Sequence, residues 1–555
     1  VSSPTKSVVI HKAKQGLVAR VEDAQSLPAA YKRLAAAHSK LAYKKSVEKR
    51  LVLAVQKEIS GLECIIGAKL DPSFGPVIVF GSGGILAEEL GDVAVRLCPV
   101  TAEEASAMIK GTRLYSRLQN LKGGGIAQIG LRPIAHSAIR GIALQNLAAA
   151  IVKVSNLMMN HPEIPELDIN PVFVAEDSGD VMAVDVRAVI QKTAAKIAKS
   201  AGVGWRHAAV TRFFSPASVA VIGASRHAES VGQSIMRNLT LGCVHRCEYC
   251  RPFLGKLFPV NPFATEILGF KCHPSALSIP EDVDMAIVAV PHDIVMKAVD
   301  DCIKKKVKSV IIISAGFGEF NEEGRRLQAK MADKLEKARI PMLGPNCLGI
   351  IRPKHNLNAS FGPSMPPKGS VAFVSQSGAL ADSIIDWSIQ ARYGFSAIVS
   401  YGNKAMLDCY DFFDFLANDD ETRAVAVYLE GVNNGRDFFE KLRQLVIKKP
   451  VVVLKGGRTS SGTSAAATHT ASLAGDAKVF EAAVRQTGAV IADTVEELFD
   501  LAKVLAEQPV CSGNGIGIVT NGGGCGVICS DYCDELGVKL PQPSKDVLKI
   551  FDKSG

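Results

Sequence analysis

The sequence predicts a multidomain α/β protein. The chain has 555 residues, enough for several domains of ordinary size. Hydrophobic residues make up 47% of it and 48 residues are glycine, as suits domains with many tight turns between strands and helices. Short apolar segments alternate with helical patterns along most of the chain. Strands that are apolar on both faces and alternate with helices predict parallel sheets covered on both sides.

The first part of the chain mixes strands and helices. Apolar segments at 7–10 and 77–80 predict strands, and the alanine-rich pattern of 26–45 predicts an amphipathic helix. A basic, helix-like connector at 190–200 leads into the next domain.

That next domain is expected to be a parallel sheet, and two similar units follow it. Its strands are predicted at 218–222, 285–290 and 310–314. Each later unit opens with an apolar strand, a small polar turn with glycines and a helix, which predicts an internal duplication of a flavodoxin-like unit. The strands expected in these two units lie at 371–374, 425–429, 451–454 and 515–519.

Composition excludes some classes of function. The net charge of +9 is modest and spread along the chain, without a basic tract interleaved with aromatics, so we expect anionic small molecules and no nucleic acid as partners. The 13 scattered cysteines predict reduced thiols in the cytoplasm. No apolar run is expected to reach membrane-spanning length and no signal-peptide pattern opens the chain, so no membrane is expected.

The two ends of the chain also carry an expectation. The sequence begins at Val1, and it ends at Gly555 directly after a helix-like segment. Both ends are expected to be cuts through a longer protein.

Two turns between a strand and a helix are suited to anions. Ser375-Gln-Ser-Gly378 and Thr520-Asn-Gly-Gly-Gly524 would each place unpaired backbone amides at a helix N-terminus. Facing each other, two such ends could hold one phosphate. The alternative is that they are ordinary glycine-rich turns of α/β domains.

His469 lies among small residues, in Ser464-Ala-Ala-Ala-Thr-His-Thr-Ala-Ser-Leu-Ala-Gly475. Such an imidazole can act as base or nucleophile, although a surface histidine in a loop is the alternative interpretation. Glu430 follows a buried strand, where ligands of α/β sheets bind, and could accept a hydrogen bond from one imidazole nitrogen. A solvated glutamate at a strand end is the alternative there.

Gly223-Ala-Ser225 follows a strand as a dinucleotide-binding loop would, but the full G-x-G-x-x-G spacing is absent. The next strand ends in Asn261-Pro262 and carries no acidic residue. This pattern disfavours NAD and suits the ADP part of coenzyme A.

Two further sets of residues could bind metals. Asn170 and Asp185, on strand-like segments, could share a Mg²⁺ ion bound to nucleotide phosphates. Cys243, Cys247 and Cys250 have C-x3-C-x2-C spacing, which could hold an iron–sulfur cluster or, with His245, a zinc ion.

Together these motifs resemble the NDP-forming acyl-CoA synthetases, specifically the ADP-forming acetate–CoA ligases related to succinyl-CoA synthetase. The resemblance covers nearly the whole chain as one fusion of ATP-grasp and CoA-ligase parts. It implies an ATP-grasp domain at 1–192, a linker at 193–212 and a Rossmann-like CoA-binding domain at 213–362. A flavodoxin-like ligase domain at 363–508 and the start of a second one at 509–555 follow.

The resemblance also implies roles for single residues. His469 would be the phosphorylated histidine, Glu430 its supporting carboxylate and His11 a second histidine that relays phosphate. Ser377, Gly378, Asn521, Gly522 and Gly523 would surround the phosphohistidine. Asn170 and Asp185 would bind magnesium. The residues expected at the nucleotide are Gln56, Glu58 and Glu63. Those expected at coenzyme A are Gly223, Ala224, Ser225, Val260, Asn261, Pro262, Pro291, Ser314 and Gly316.

The sequence departs from the family in three places. The start of the ATP-grasp domain, with its nucleotide-binding lysine, is missing, and the last flavodoxin-like domain is incomplete. The cysteine-rich loop at 241–253 is longer than the family carries there.

The implied reaction interconverts acyl-CoA, ADP and phosphate with a carboxylate, expected to be acetate, ATP and CoA. It passes through an acyl phosphate and a phosphohistidine, with Mg²⁺ as cofactor, in a homo-oligomer. The alternative is a ligand-binding regulatory part of an acetyl-CoA-dependent protein lysine acetyltransferase.

Overall fold

Nine ranges of the chain are described by the structure, which is a computed structural model. They are 25–39, 61–83, 92–120, 128–129, 132–133, 136–176, 178–191, 204–459 and 477–553. The chain forms two units, Val1–Leu62 and Glu63–Gly555. In the first unit the described helix is α1 (Leu27–Ser39), which confirms the predicted helix over its described part. Residues 7–10 and 40–45, the latter part of that helix prediction, lie outside the described residues.

The first sheet combines strands from residues 62–97 with strands from residues 166–189. It has the order β3-β2-β1-β6-β7, with β8 paired to β6. Ladders β1–β2, β2–β3, β6–β7 and β6–β8 are antiparallel. The strand predicted at 77–80 is confirmed within β2. The strands are β1 (Leu62–Asp71), β2 (Gly75–Ser82), β3 (Val93–Leu97), β6 (Glu166–Val174), β7 (Val181–Ala183) and β8 (Val186–Val189), with the short pair β4 (Gln128–Ile129) and β5 (Arg132–Pro133) apart from them.

Three helices accompany this sheet: α2 (Ala102–Lys110), α3 (Leu114–Gln119) and α4 (His136–Asn160). Thr101 caps α2, since its hydroxyl accepts a hydrogen bond from the Glu104 amide and the Glu104 carboxylate accepts one from the Thr101 amide. The long helix α4 packs on α2 and β2.

Within α4, the 24 residues Ser137–Asn160 are long and apolar enough to cross a membrane, by length and composition only. The expectation that no apolar run reaches that length is therefore wrong when mean hydropathy is the criterion. Arg140 and Lys153 interrupt the run, but its mean hydropathy stays high. A core helix passes the same test, and α4 buries Ile139, Leu147 and Ile151.

The second sheet is five-stranded and wholly parallel, as predicted, with the order β10-β9-β13-β14-β15. All residues of its central strands are buried, which explains their continuous apolar pattern. The strands are β9 (Ser218–Ile222), β10 (Lys256–Val260), β13 (Met285–Val288), β14 (Ser309–Ile312) and β15 (Met342–Leu343), with the hairpin β11 (Glu266–Ile267) and β12 (Phe270–Lys271) beside them. The helices are α5 (Gly204–Val210), α6 (Val231–Leu241), α7 (Val295–Lys305) and α8 (Glu322–Lys337).

The third sheet has seven strands in the order β17-β16-β19-β18-β20-β21-β22. Five of them are parallel, and β16 joins them antiparallel through β19. Its strands are β16 (Gly349–Arg352), β17 (Leu357–Ser360), β18 (Lys368–Ser375), β19 (Phe395–Ser400), β20 (Ala424–Leu429), β21 (Val451–Lys455) and β22 (Val490–Ala492). Its helices are α9 (Gly378–Gln390), α10 (Phe413–Asn418), α11 (Gly435–Lys448), α12 (Ala477–Thr487) and α13 (Val495–Glu507).

The second and third sheets share a core and are connected by strands that lie before the predicted domain boundary at 362. Strands β16 and β17 precede that boundary but pair in the third sheet. One continuous core contains residues of both sheets, among them Val221 and Val427. Asn238 of α6, which is fully buried, donates hydrogen bonds to the carbonyls of Ser360 at 2.7 Å and Gly362 at 2.8 Å.

The strand predicted at 515–519 does not form. In this part of the structure Gly515 makes a single parallel bridge to Lys539, while Val519 is 77% exposed. A parallel strand needs a neighbouring strand to pair with, and no such strand lies among the described residues after 509. Two helices follow, α14 (Gly523–Glu535) and α15 (Lys545–Lys553).

Candidate active site

The residues predicted to bind coenzyme A lie together at the carboxyl ends of the second sheet. Gly223 follows β9, Asn261 follows β10 and Ser314 follows β14. Gly223 has φ +95°, and a Cβ there would lie 2.2 Å from the Ala289 carbonyl oxygen, so the tight turn requires glycine. In sheets of this kind, this edge is where ligands bind.

Side-chain hydrogen bonds hold these loops. The Asn261 amide donates to the Ala224 carbonyl at 2.8 Å, which links the ends of β9 and β10. The Ser314 hydroxyl donates to the Val290 carbonyl at 2.5 Å and accepts from the Val290 amide at 3.2 Å. Among the remaining predicted residues, Ala224 and Val260 are buried, Ser225 and Gly316 are half-buried, and Pro262 and Pro291 are exposed.

Helix α9 begins at the carboxyl end of β18. Ser377 is its N-cap, and its hydroxyl accepts a hydrogen bond from the Leu380 amide at 3.2 Å. The Ser377 amide in turn donates to the Ser375 hydroxyl at 3.2 Å. A helix of 13 residues that begins at a turn of small residues favours an anion at its N-terminus.

A cavity of about 670 Å³ lies between these two strand edges. It brings together predicted residues from both sides: Pro291 and Ser314 at the coenzyme A loops, Ser377 and Gly378 at the helix N-terminus, and Glu430 at the end of β20. The contributing strands belong to two different sheets. A molecule held by the second sheet would therefore meet an anion held by the third.

Glu430 is 8% exposed. Its amide donates to the Gln376 side-chain carbonyl at 2.9 Å, and Lys455 donates to its carbonyl at 2.8 Å. Burial raises the pKa of the neighbouring Tyr428 phenol, and the Glu430 carboxylate acts in the same direction. Burial lowers the pKa of Lys455, and the nearby Lys404 lowers it further, against the opposing effect of Glu430. The carboxylate therefore lies in a confined site beside polar groups.

His469 lies outside the described residues, but both flanks of its segment are described. Strand β21 leads into it and pairs with β20, which ends beside Glu430. A Cβ on Gly456, the residue after β21, would lie 2.8 Å from the Tyr428 hydroxyl and 3.4 Å from Glu430 Cγ. The segment that carries His469 therefore starts directly against Glu430.

The other flank is α12, and it contacts the first sheet. Gln486 of α12 accepts a hydrogen bond from the Leu97 amide of β3 at 2.8 Å. Its amide group donates to the Leu97 carbonyl at 3.3 Å and to the Glu104 carboxylate at 3.1 Å. The described residues before 460 thus lie beside Glu430, and the far end of α12 lies against the first sheet.

The predicted magnesium residues are adjacent on the first sheet. The backbone N–H of Asn170, on β6, donates to the backbone carbonyl of Asp185, in the segment before β8, at 3.1 Å. Burial raises the pKa of Asp168, Arg187 lowers it, and the acidic Glu166 and Asp185 raise it again. Amide and carboxylate oxygens are hard ligands that suit Mg²⁺, so this donor set fits the ion.

Other predicted residues are not brought to the cavity. Gly522 caps α14 without a side-chain hydrogen bond, and Asn521, Gly522 and Gly523 are not among the cavity residues. Glu63 is exposed on β1. His11, Gln56 and Glu58 lie outside the described residues. The expected pairing of two helix N-termini therefore stays a prediction.

The sequence reasoning missed a polar clamp between the second and third sheets. Asn403, which lines the cavity, donates to Glu319 and, at 3.0 Å, to Gln328. Glu319 also accepts from the amides of Gly316, at 2.6 Å, and Phe317, at 3.1 Å. Asn346 donates to Asn403 at 3.3 Å. No motif in the sequence points to Asn403.

The fold and cavity define a class of protein: a multidomain α/β protein in which the ligand-binding edge of one parallel sheet faces a helix N-terminus and a buried carboxylate of another. Models of three domain families match the chain. They are the ATP-grasp domain at 2–190, the CoA binding domain at 217–353 and the succinyl-CoA ligase like flavodoxin domain at 368–505.

Relatives give the same result. Acetate–CoA ligase (ADP-forming) II of Archaeoglobus fulgidus is 35% identical over 511 residues, which cover 91% of this chain and 70% of the relative. Ligase I of that organism is 46% identical over 329 residues, 59% of this chain and 46% of the relative. The chain therefore belongs to the ADP-forming acetate–CoA ligase family, although its match spans less than half the length of ligase I.

A solved structure is similar as well. The dinucleotide-forming acetyl-coenzyme A synthetase 1 of Ca. Korarchaeum cryptofilum, in complex with phosphate and ADP, is 38% identical. It superposes with a TM-score of 0.58 over 62% of this chain and 72% of its own. The regulatory alternative has no support among these relatives, which are ligases.

Proposed function

We propose that this chain interconverts acyl-CoA, ADP and phosphate with a carboxylate, ATP and CoA. The observation that carries this proposal is the cavity shared by the coenzyme A loops, the N-terminus of α9 and Glu430. Relatives of the same family are acetate–CoA ligases, and we propose acetate as the acid. The expectation of reduced thiols holds for eleven of the 13 cysteines and is contradicted for Cys243 and Cys250, which form a disulfide. We propose a role in the cytoplasm, on the strength of the free thiols and the family, and a homo-oligomer.

The first step takes place in the cavity. A thioester held at Pro291 and Ser314 would present its carbonyl to phosphate held at the N-terminus of α9. Attack by phosphate oxygen breaks the carbon–sulfur bond, releases CoA as thiolate and forms an acyl phosphate. Backbone amides and the helix dipole stabilise the phosphate charge there, and positioning supplies most of the acceleration.

The second step transfers the phosphoryl group to His469. One imidazole nitrogen attacks phosphorus, the carboxylate leaves, and the Glu430 carboxylate accepts a hydrogen bond from the other nitrogen. This bond fixes the tautomer and stabilises the charged phosphohistidine. The position of β21 beside β20 supports this pairing.

The third step transfers the group to ADP at the first sheet. The helix that follows the His469 segment, α12, contacts β3 of the first sheet, which supports a transfer to that sheet. We propose that Gln56, Glu58 and Glu63 bind the nucleotide, that His11 relays phosphate, and that Asn521, Gly522 and Gly523 complete the phosphate site. Asn170 and Asp185 would hold Mg²⁺, which neutralises phosphate charge during such transfers.

A labelling experiment tests the proposal. The chain is incubated with acetyl-CoA and radioactive phosphate, and protein-bound label is measured after rapid removal of small molecules. We expect acid-labile label on the wild type and none on His469→Ala. The control is His161→Ala, which changes an exposed histidine directly after α4. This variant should be labelled like the wild type.

Absence of label on the wild type, or equal label on His469→Ala, would contradict the proposed function. A panel of other acyl-CoA thioesters in the same assay identifies the acyl group that the cavity accepts.

A further inference from the structure

Three cysteines meet in the loop between α6 and β10. Their sulfur atoms all lie within 4.8 Å of one another. In the structure Cys243 and Cys250 are joined as a disulfide, and the Cys247 sulfur lies 3.1 Å from that of Cys250. A disulfide accounts for two sulfurs and leaves the third in contact with the pair. Three converging sulfurs are what a thiolate metal site requires.

The loop holds these sulfurs by its backbone. Gly242 ends α6 with φ +94°, and a Cβ there would lie 2.3 Å from the Arg251 amide nitrogen. Cys247 and Cys250 form a turn in which the Cys250 amide donates to the Cys247 carbonyl at 3.2 Å. The Cys247 amide donates to the Cys250 sulfur at 3.3 Å. Such an N–H···S bond stabilises sulfur as a thiolate and orients it towards a metal.

Burial and charge also suit a metal. Cys243 is fully buried in the core that contains Leu348 and Met365, while Cys247 and Cys250 are half-buried beside it. Three thiolates and one Zn²⁺ leave one negative charge. Arg251, whose guanidinium donates to the Cys250 carbonyl at 2.7 Å, supplies positive charge next to the site.

We propose that Cys243, Cys247 and Cys250 bind one zinc ion as thiolates, with the fourth position on the exposed side of the loop. Binding to the reduced thiols is redox-neutral, because three S–H protons are released and three Zn–S bonds form. C-x2-C turns with an additional cysteine are typical of structural zinc. The ring nitrogens of His245 do not lie within 4.8 Å of all three sulfurs. The proposed ligands are therefore the three cysteines.

The ion would fasten the second sheet to the third. The His245 amide donates to the Pro363 carbonyl at 2.9 Å, and the Cys247 sulfur lies 3.6 Å from the Met365 carbonyl oxygen. The loop thus ties the C-terminal end of α6 to the segment before β18. Val231, at the other end of α6, lines the cavity, so zinc would help to fix one wall of the site.

Metal analysis of the full chain tests this proposal. The protein is purified with reductant and zinc, dialysed and measured by plasma mass spectrometry. We expect about one zinc ion per chain for the wild type and for Cys511→Ser, an exposed cysteine elsewhere, but almost none for Cys247→Ser. Cobalt in place of zinc should give thiolate charge-transfer absorption and the intense visible bands of a tetrahedral site.

A second measurement does not depend on a variant that folds. In the zinc-loaded wild type, peptide mapping should show the three cysteines protected from alkylation until a chelator is added. Three results would each overturn the proposal. The reduced wild type contains no zinc, the Cys243–Cys250 disulfide persists after reduction, or the loop holds iron with acid-labile sulfide.

Discussion

At the scale of single residues, the account depends on how the cavity surrounds one carboxylate. Glu430 is buried at a strand end, beside Gln376 and Lys455, and directly against the start of the segment that carries His469. Burial strengthens the electrostatic effect of a carboxylate on a neighbouring imidazolium or phosphohistidine. The sequence pointed to Glu430 by its position after an apolar strand, but its neighbours became visible only in the folded chain.

Glu430→Gln keeps the shape of the side chain and removes its charge. We expect the rate of histidine labelling to fall by about a hundredfold, with the KM for acetyl-CoA nearly unchanged, because the imidazole loses its charged partner. Rapid-quench labelling measures this rate. Glu440→Gln, an exposed change on α11, is the matched control, and an unaltered rate in Glu430→Gln would contradict the assigned role.

Glu319 gives a pH-dependent prediction. Burial alone would raise the pKa of this carboxyl, but hydrogen bonds from Asn403 and the amides of Gly316 and Phe317 outweigh burial and hold the pKa below its ordinary value. A carboxyl whose pKa is lower in the folded chain than in the unfolded chain stabilises the fold when the pH is above its unfolded pKa, about 4.3 for glutamate. This stabilisation is lost as the pH falls through the pKa of the folded chain.

Glu319→Gln should therefore lower Tm at neutral pH, and its difference from the wild type should shrink as the pH falls below about 4.3. Thermal unfolding across a pH series measures this. Glu323→Gln, exposed on α8, should show no such trend. A constant difference at all pH values would show that the carboxylate charge does not stabilise the clamp.

At the scale of elements, helix α9 is the part that would hold phosphate. Its N-cap hydroxyl belongs to Ser377, at the cavity. Ser377→Ala should destabilise the chain by about 1 kcal/mol. It should also raise the KM for phosphate about fivefold, because the turn at the helix N-terminus loosens.

Steady-state kinetics with varied phosphate and thermal unfolding measure the two effects. Ser383→Ala on the same helix is the control, because Ser383 is exposed, lies more than one turn into the helix and is not among the cavity residues. If both variants raise the KM equally, α9 does not hold phosphate by its N-terminus.

The elements also show what the sequence could and could not predict. Strands such as β9 and β20 were predictable because every position, or nearly every one, is apolar and buried. The segment 515–519 has the same local pattern but lacks a pairing strand among the described residues, and pairing is not a local property. Asn403 and Glu319 are 84 positions apart, so their contact depends on how β16 and β17 join the second sheet to the third.

At the scale of the whole molecule, the proposed function requires one histidine to serve two sites. Of the described residues on either side of 460–476, strand β21 pairs with β20, and α12 is hydrogen-bonded to the first sheet through Gln486. Residues 63–555 form a single unit that contains the cavity and α12. The family resemblance predicts this division of labour, and it stays a prediction.

Gln486→Ala removes the hydrogen bonds between α12 and the first sheet. Histidine labelling should stay within about twofold of the wild type, while discharge of the label to ADP should slow about tenfold, because the second site is less well positioned. Gln508→Ala, exposed after α13, is the control. Equal losses in both steps would show that Gln486 supports the fold in general.

The most direct test follows one phosphoryl group through the molecule. The chain is labelled with acetyl-CoA and radioactive phosphate, freed of small molecules, and mixed with Mg²⁺ and ADP. The account predicts label on His469 by peptide mapping and its quantitative transfer to ATP on the addition of ADP. Label at another residue, or label on His469 that ADP does not remove, would contradict the claim that this histidine carries phosphate from the cavity to the nucleotide.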